Sequence, residues 1–150
     1  MRNFKTTARQ MKTTADNRKL IDFFNGTEKE TIFCLLDIDD FTTFNLLNSY
    51  EKGDTILNRL SDTIKQIPAL NNLTRVDSDE FLFSCFGNFE MNKKNLFLLM
   101  QTIQSELKIT VSIGVTERNS FTTSSEFILS KLRRGLLTAK DFGKNKLHFD

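Results

Sequence analysis

Thr31 to Leu36 (TIFCLL) is an almost unbroken apolar run rich in β-formers, and it ends abruptly in the carboxylates of Asp37-Ile38-Asp39-Asp40. A run with so little polar alternation gives neither face to water, so it predicts a central strand of a covered sheet. The carboxylates then mark the end of that strand.

Helical and extended periodicities alternate around it. Asp16-Asn17 precede Arg18 to Phe24, where Leu20, Ile21, Phe23 and Phe24 predict a short helix ending at Gly26. After the carboxylates, Phe41, Phe44, Leu47 and Asn48 have helical spacing, and Glu51-Lys52-Gly53 predicts a loop before a second helix. That second helix carries Asp54 in its first turn and an apolar stripe of Ile56, Leu57, Leu60, Ile64 and Ile67, and Pro68 falls where it stops. Leu73 to Val76 and Phe81 to Phe86 read as strands joined by Asp77-Ser78-Asp79-Glu80, a tight hairpin with an acidic tip. Leu96, Leu99, Met100, Ile103 and Leu107 mark a helix after Asn92, and Ile109 to Val115 is a strand. A final helix, capped by Ser124 or Ser125, carries Phe127, Ile128, Leu132 and Leu136, stops near Gly143, and leads to a terminal strand from Lys146 to Phe149. The order β-α-α-β-β-α-β-α-β predicts an α/β fold, an α+β sandwich whose mixed, ferredoxin-like sheet is flanked by helices.

A chain of 150 residues makes one domain, read here as residues 16–150 behind a lead segment at 1–15. Its 21 basic residues nearly balance 19 acidic ones, for a net charge of +2, so it is not a wholesale polyanion binder and no nucleic-acid partner is expected. The longest apolar runs, Ile32 to Leu36 and Leu96 to Met100, fall far short of the ~18–20 residues that span a bilayer, so no membrane partner is expected. The basic start MRNFKTTARQMK is followed by no apolar stretch that would make a secretory signal, and the cytoplasm is the expected location. Fifteen Phe against one Tyr and no Trp favour a packed interior. Cys34 and Cys85 lie inside apolar strand-like runs, which predicts buried structural thiols, and the single histidine, His148, leaves a zinc site without ligands.

Asp37 ends the central strand, and Asp79 with Glu80 occupies the hairpin turn, so pairing of that hairpin beside the strand gathers carboxylates at one sheet edge. Such a cluster repels itself unless a cation joins it. Mg²⁺ takes one or two protein carboxylates and fills its shell with phosphate oxygens, which points to phosphate chemistry. Solvated turn carboxylates give the same pattern, and spacing alone leaves both readings open.

Taken together and in order, CLLDIDDFTTFN, GDTILNRL, RVDSDEFLF, VSIGV and AKDFGKNK resemble the GGDEF family of diguanylate cyclases. The resemblance runs from about Asp16 to the end, with Asn17-Arg18 where the family has an asparagine-arginine pair opening its first helix. It implies a palm-type fold and a metal-dependent nucleotidyltransferase that condenses two GTP molecules into cyclic di-GMP with release of pyrophosphate. Asp37 then matches a metal-binding aspartate, with the Ile38 carbonyl as a further ligand, and Asp79 is the second metal carboxylate. Glu80 matches the residue expected to help activate the attacking 3′-hydroxyl or to hold the metal site. The implied metal is Mg²⁺ or Mn²⁺. Asn45 and Asp54 match the residues that hydrogen-bond guanine, whose N1–H and N2–H₂ edge suits a carboxylate as adenine's does not. Phe41 and Ser78 belong to the implied nucleotide-binding set. Lys140 and Lys144 match triphosphate contacts, the second of which is more often arginine. The resemblance also implies a homodimer when active, and the N-terminal segment is the expected contact.

Asp77 and Ser78 stand in place of the two glycines of the family signature, and Asp77 adds a negative charge beside the implied triphosphate site. Thr42 and Leu46 stand where the family has lysine and aspartate. Ala69-Leu70-Asn71-Asn72 replaces the Arg-x-x-Asp of the family's product-inhibition site, so feedback through that site is expected to be absent. The chain also resembles the minimal CRISPR polymerases, which would imply a cyclic oligonucleotide synthase in anti-phage defence, with ATP as a possible substrate. A third reading is a catalytically degenerate GTP-binding sensor.

Overall fold

The computed structural model describes residues 14–27, 31–118 and 124–150. Most of the lead segment, with the dimer contact expected there, lies outside the described residues. Helix α1 (Thr14–Asn25) leads to β1 (Ile32–Ile38), two helices follow as α2 (Phe41–Leu47) and α3 (Tyr50–Ile64), and the hairpin is β2 (Leu70–Arg75) with β3 (Glu80–Cys85). Helix α4 (Phe89–Thr102) ends in a π-helical turn, Ile103–Leu107, before β4 (Val111–Glu117), and α5 (Ser125–Asp141) with β5 (Leu147–Phe149) completes the order.

The sheet order is β2-β3-β1-β4-β5. All pairings are antiparallel except β4 with β5, so the sheet is mixed, as the element order predicts. Every residue of β1 is buried. Alternation along β1 divides the core in two. Ile32, Cys34, Leu36 and Ile38 pack with Ile56 and Leu60 of α3 and with Leu96 of α4. Phe33 and Leu35 face the other way, onto Phe23 and Phe24 of α1 and onto Ile128, Leu132 and Leu136 of α5. Both cysteines are free and buried in the first of these cores. Burial pushes the Cys85 thiol up to about 12, and burial with the neighbouring Cys85 raises Cys34, so both are structural thiols as expected.

Two boundaries differ from the sequence reading for a shared reason: a polar side chain earlier in the chain caps the helix. Glu51-Lys52-Gly53 is not a loop but the first turns of α3, because Ser49 accepts from the Lys52 backbone N–H at 3.1 Å. Asn92 does not start α4. Asn88 does, accepting from Met91 N at 2.9 Å, while Asn92 is buried one turn later and donates to the carbonyls of Phe86 and Asn88 at 2.9 Å each. Strand β2 also starts earlier than Leu73, at Leu70, and its Asn72 donates to the Phe23 carbonyl of α1 at 3.1 Å.

Helix α5 lies on β4 with almost no separation, because both elements offer a glycine at the crossing. A Cβ on Gly114 of β4 would come within 2.3 Å of the Leu132 carbonyl oxygen and 2.6 Å of the Leu136 nitrogen, both backbone atoms of α5. A Cβ on Gly135 meets the Gly114 Cα at 3.3 Å and the His148 oxygen of β5 at 3.2 Å. The first contact has no flexible group to move, whereas the second needs only a few tenths of an ångström. We therefore expect Gly114→Ala to destabilise by about 3 kcal/mol or more and Gly135→Ala by about 1 kcal/mol in urea titrations, the usual range for overpacking. Equal costs would place the tight contact elsewhere.

Candidate active site

The carboxylate end of β1 gathers side chains from three parts of the chain. In the antiparallel register Asp37 stands opposite Glu80 of β3 and opposite Ser112 of β4. Asp37 shares the parity of Phe33 and Leu35, so it lies on the face that α5 covers. Asp37 and Glu80 are only 4% and 1% exposed. Two carboxylates side by side on a buried face are unfavourable unless cations compensate them. Helix α5 supplies both cations, Lys140 Nζ at 2.8 Å from Asp37 Oδ2 and Arg133 Nη1 at 3.7 Å from Glu80 Oε1.

The compensation at Asp37 is incomplete. Burial, then the charge of Asp79, then that of Glu80 push its carboxyl up to about 8, and the Lys140 ammonium opposes them without offsetting them. Asp37 Oδ1 is buried with no hydrogen-bond partner among the described residues. An orphaned carboxylate oxygen beside a second carboxylate is suited to a divalent cation. Among the described residues no three or more His, Cys, Asp or Glu side chains form a ready ligand group. An ion that takes one or two protein carboxylates and completes its shell with phosphate oxygens requires no such cage, so the donor set fits Mg²⁺ or Mn²⁺.

Asp39 and Asp40, to which sequence reasoning assigns no role beyond ending the strand, fix the rim of this site. Asp39 is buried and accepts from Thr110 Oγ1 and Ser112 Oγ at 2.7 Å each and from the Asn145 backbone N–H at 2.9 Å. It ties β1, the start of β4 and the loop after α5 together. Asp40 takes the left-handed conformation, φ 56°, that aspartate tolerates, and starts α2. Lys144, also left-handed at φ 65°, donates to Asp40 Oδ1 at 2.5 Å. Thus both predicted phosphate lysines stand at the carboxylate end of β1, each paired with an aspartate.

The hairpin tip is built without glycine. Neither Asp77 nor Ser78 has a positive φ. Ser78 N donates to Asp77 Oδ1 at 2.8 Å, and the Arg75 guanidinium donates to the Asp77 and Ser78 carbonyls at 2.6–3.2 Å. Side-chain hydrogen bonds therefore hold the turn. Asp79 is tied into the sheet, its carbonyl accepting from Ile38 N at 3.2 Å.

Asn45 and Asp54 form a second group, where α2 crosses α3. A Cβ on Gly53 would fall 2.0 Å from Asn45 Oδ1 and 3.3 Å from Phe41 Cζ, so glycine lets the Asn45 carboxamide lie against the helix beside Asp54. Asp54 is exposed and lies in the second turn of α3, not the first. Phe41 has its ring in the core, stacked on Phe44 with centroids 6.1 Å apart, so its backbone is what it can offer a nucleotide. Arg133 and Asp39 were missed by the sequence reading. A signal existed for Arg133, which lies seven residues before Lys140 on one side of a helix.

No protein-family model matches this sequence, and no curated protein matches it. Solved structures match it by shape. A GGDEF domain from Caulobacter crescentus in complex with c-di-GMP has a TM-score of 0.72 at 21% identity, covering 89% of this chain and 84% of its own. The active GGEEF domain of a diguanylate cyclase from Vibrio cholerae scores 0.73 at 20% identity, over 90% of this chain and 92% of its own. The chain has the GGDEF-domain fold. A diguanylate cyclase from Pseudomonas aeruginosa in complex with its activator scores 0.75 at 20% identity, over 89% of this chain and 56% of its own. In this GGDEF fold the hairpin tip 77–80 and the carboxylate end of β1 are adjacent, joined by the bond from Ile38 N to the Asp79 carbonyl. Among the described residues no helix is long and apolar enough to cross a membrane.

The raised Asp37 carboxyl makes stability depend on pH. From the ordinary carboxylate pKa near ~3.9 up to about 8, the folded chain keeps a proton that the unfolded chain has released. This contribution is fully present below about pH 4 and is lost as pH rises through about 8. In a chelator-containing buffer, Asp37→Asn should flatten the profile between those limits and melt above the parent at pH 9, by ~2–4 °C per kcal/mol relieved. A variant that melts lower at pH 9 would show that the Lys140 pair outweighs burial.

Proposed function

We propose that this chain is a diguanylate cyclase-like nucleotidyltransferase that joins two GTP molecules into cyclic di-GMP and releases pyrophosphate. The observation that carries the reading is the register of Asp37 against Glu80, which sets two buried carboxylates beside Asp79 and beneath Lys140 on a GGDEF fold. The solved relatives support it: one was crystallised with c-di-GMP, and another is an active diguanylate cyclase domain.

Asp37 and Asp79, with the Ile38 carbonyl, would hold Mg²⁺ or Mn²⁺, which when bound neutralises charge on the triphosphate and favours in-line displacement at the α-phosphate. Glu80 is buried and paired with Arg133, which supports a role in holding the metal carboxylates over direct contact with the 3′-hydroxyl. Lys140 and Lys144 exchange their aspartate partners for phosphate oxygens when a triphosphate enters. Asp54 accepts from the N1–H and N2–H₂ of guanine, and the Asn45 carboxamide supplies a further donor or acceptor. Ser78, exposed at the tip, borders the phosphates where the family signature has glycine. Each domain presents one nucleotide, so the reaction calls for a second copy facing the first. The relative crystallised with its activator makes a protein activator a reasonable means of control. The likeness to minimal CRISPR polymerases gains no support from these relatives.

Purified protein given all four nucleoside triphosphates with Mg²⁺ or Mn²⁺, at low and high protein concentration, should yield cyclic di-GMP by mass spectrometry. Asp79→Ala should lower product at least ~100-fold with an unchanged circular dichroism spectrum, and undiminished turnover would overturn the assignment. Asp54→Ser should reduce the preference for GTP over ATP by ~10-fold or more in competition, since it removes the acceptor that reads the guanine edge. Unchanged preference would reject that role.

A further inference from the structure

Leu46, Leu47 and Tyr50 are 75%, 79% and 74% exposed and lie within five residues of one another, next to the pair proposed to read guanine. Scattered exposed hydrophobics are ordinary, but three large ones together beside polar recognition groups are not. Tyr50 is the first residue of α3, immediately after the Ser49 cap. On a helix of 3.6 residues per turn it falls angularly between Gly53 and Asp54, one turn ahead of both. A residue and its i+4 neighbour have Cβ atoms ~5–6 Å apart, so Tyr50 and Asp54 are neighbours on the surface of α3. Asn45 lies against Gly53 on the same side, and its Oδ1 is buried with no hydrogen-bond partner among the described residues.

We infer that Tyr50 is the base-stacking platform of the nucleotide site, with Leu46 and Leu47 forming the apolar rim around it. The inference rests on the guanine reading of Asn45 and Asp54. A purine held only by its edge leaves both ring faces in water. A carboxylate that reads N1–H and N2–H₂ must lie near the base plane, so the face requires a separate cover. Tyr50 is the aromatic placed to provide it, and its exposure leaves the ring free to turn onto the base. Stacking depends on the ring and not on the hydroxyl, so phenylalanine should serve as well. Removing an aromatic platform weakens nucleotide binding by about tenfold or more.

Tyr50 is the chain's single tyrosine, and the chain has no tryptophan, so a tryptophan at that position reports on the site alone. Calorimetry with Mg²⁺ should give equal GTP affinity for the parent and Tyr50→Phe, and about tenfold weaker affinity for Tyr50→Ala. Inorganic tripolyphosphate, which reaches the lysines but offers no base, should bind all three alike. In Tyr50→Trp, indole emission excited beyond guanine absorption should fall on GTP addition and stay unchanged with tripolyphosphate. Parental GTP affinity in Tyr50→Ala together with a silent tryptophan overturns the platform and leaves the guanine reading standing. Absence of GTP binding to the parent overturns both.

Discussion

The backbone contact between Gly114 and Gly135 decides how far the chemistry of α5 can reach. With both Cβ atoms absent, the helix rests on β4 with its own carbonyl and amide groups close to the strand. Leu132 and Leu136 then fill the core between α1 and the sheet, and on the same helix Arg133 and Lys140 reach the carboxylates at the end of β1. A helix held further out by even one methyl on each side would leave those ion pairs stretched in a buried place, where an uncompensated charge is costly. The site thus depends on two residues that have no functional groups.

Once α5 is seated, the site is an arrangement of charges in tension. Asp37 and Glu80 are neighbours by register, and burial with the charges of Asp79 and Glu80 makes Asp37 harder to ionise, which the Lys140 ammonium relieves only in part. Asp39, two residues along the chain, is also buried but has three hydrogen-bond donors. The contrast separates two uses of the same side chain: Asp39 anchors, whereas Asp37 keeps one oxygen uncommitted. Incomplete satisfaction of a buried group is the usual mark of a place where a ligand completes the coordination.

The sheet was legible because its signal is local. TIFCLL, ITVSIGV and the EFLFSC segment name their strands by composition, and the acidic residues could be placed at strand ends before any pairing was known. Helix starts were less legible, since Glu51-Lys52-Gly53 looks like a loop until Ser49 is recognised as the cap and Gly53 as a packing residue. The resemblance to a known family pointed to Asp37, Asp79, Lys140 and Lys144, and the fold brings the last two to the aspartates that end β1. What it did not reveal is the pairing itself. Arg133 with Glu80, and the three bonds of Asp39, join residues far apart in sequence that no periodicity relates.

The position of β1 in the sheet bears on how the chain reaches this structure. It is the first strand in sequence, yet it lies at the middle of the sheet, and one of its partners, β4, arrives only after two helices, a hairpin and a further helix. Its pairing with β4 closes a long loop before any reward is gained, so it belongs to the late, slow part of folding. Until then the most apolar segment of the protein has one unpaired edge, and a chain emerging from the ribosome presents that edge throughout. The carboxylates of Asp37, Asp39 and Asp40 at its end give the strand a polar stop that discourages pairing with another copy in the wrong register. Asp37, proposed to hold a metal in the finished protein, would thereby also act earlier, as a gatekeeper against aggregation.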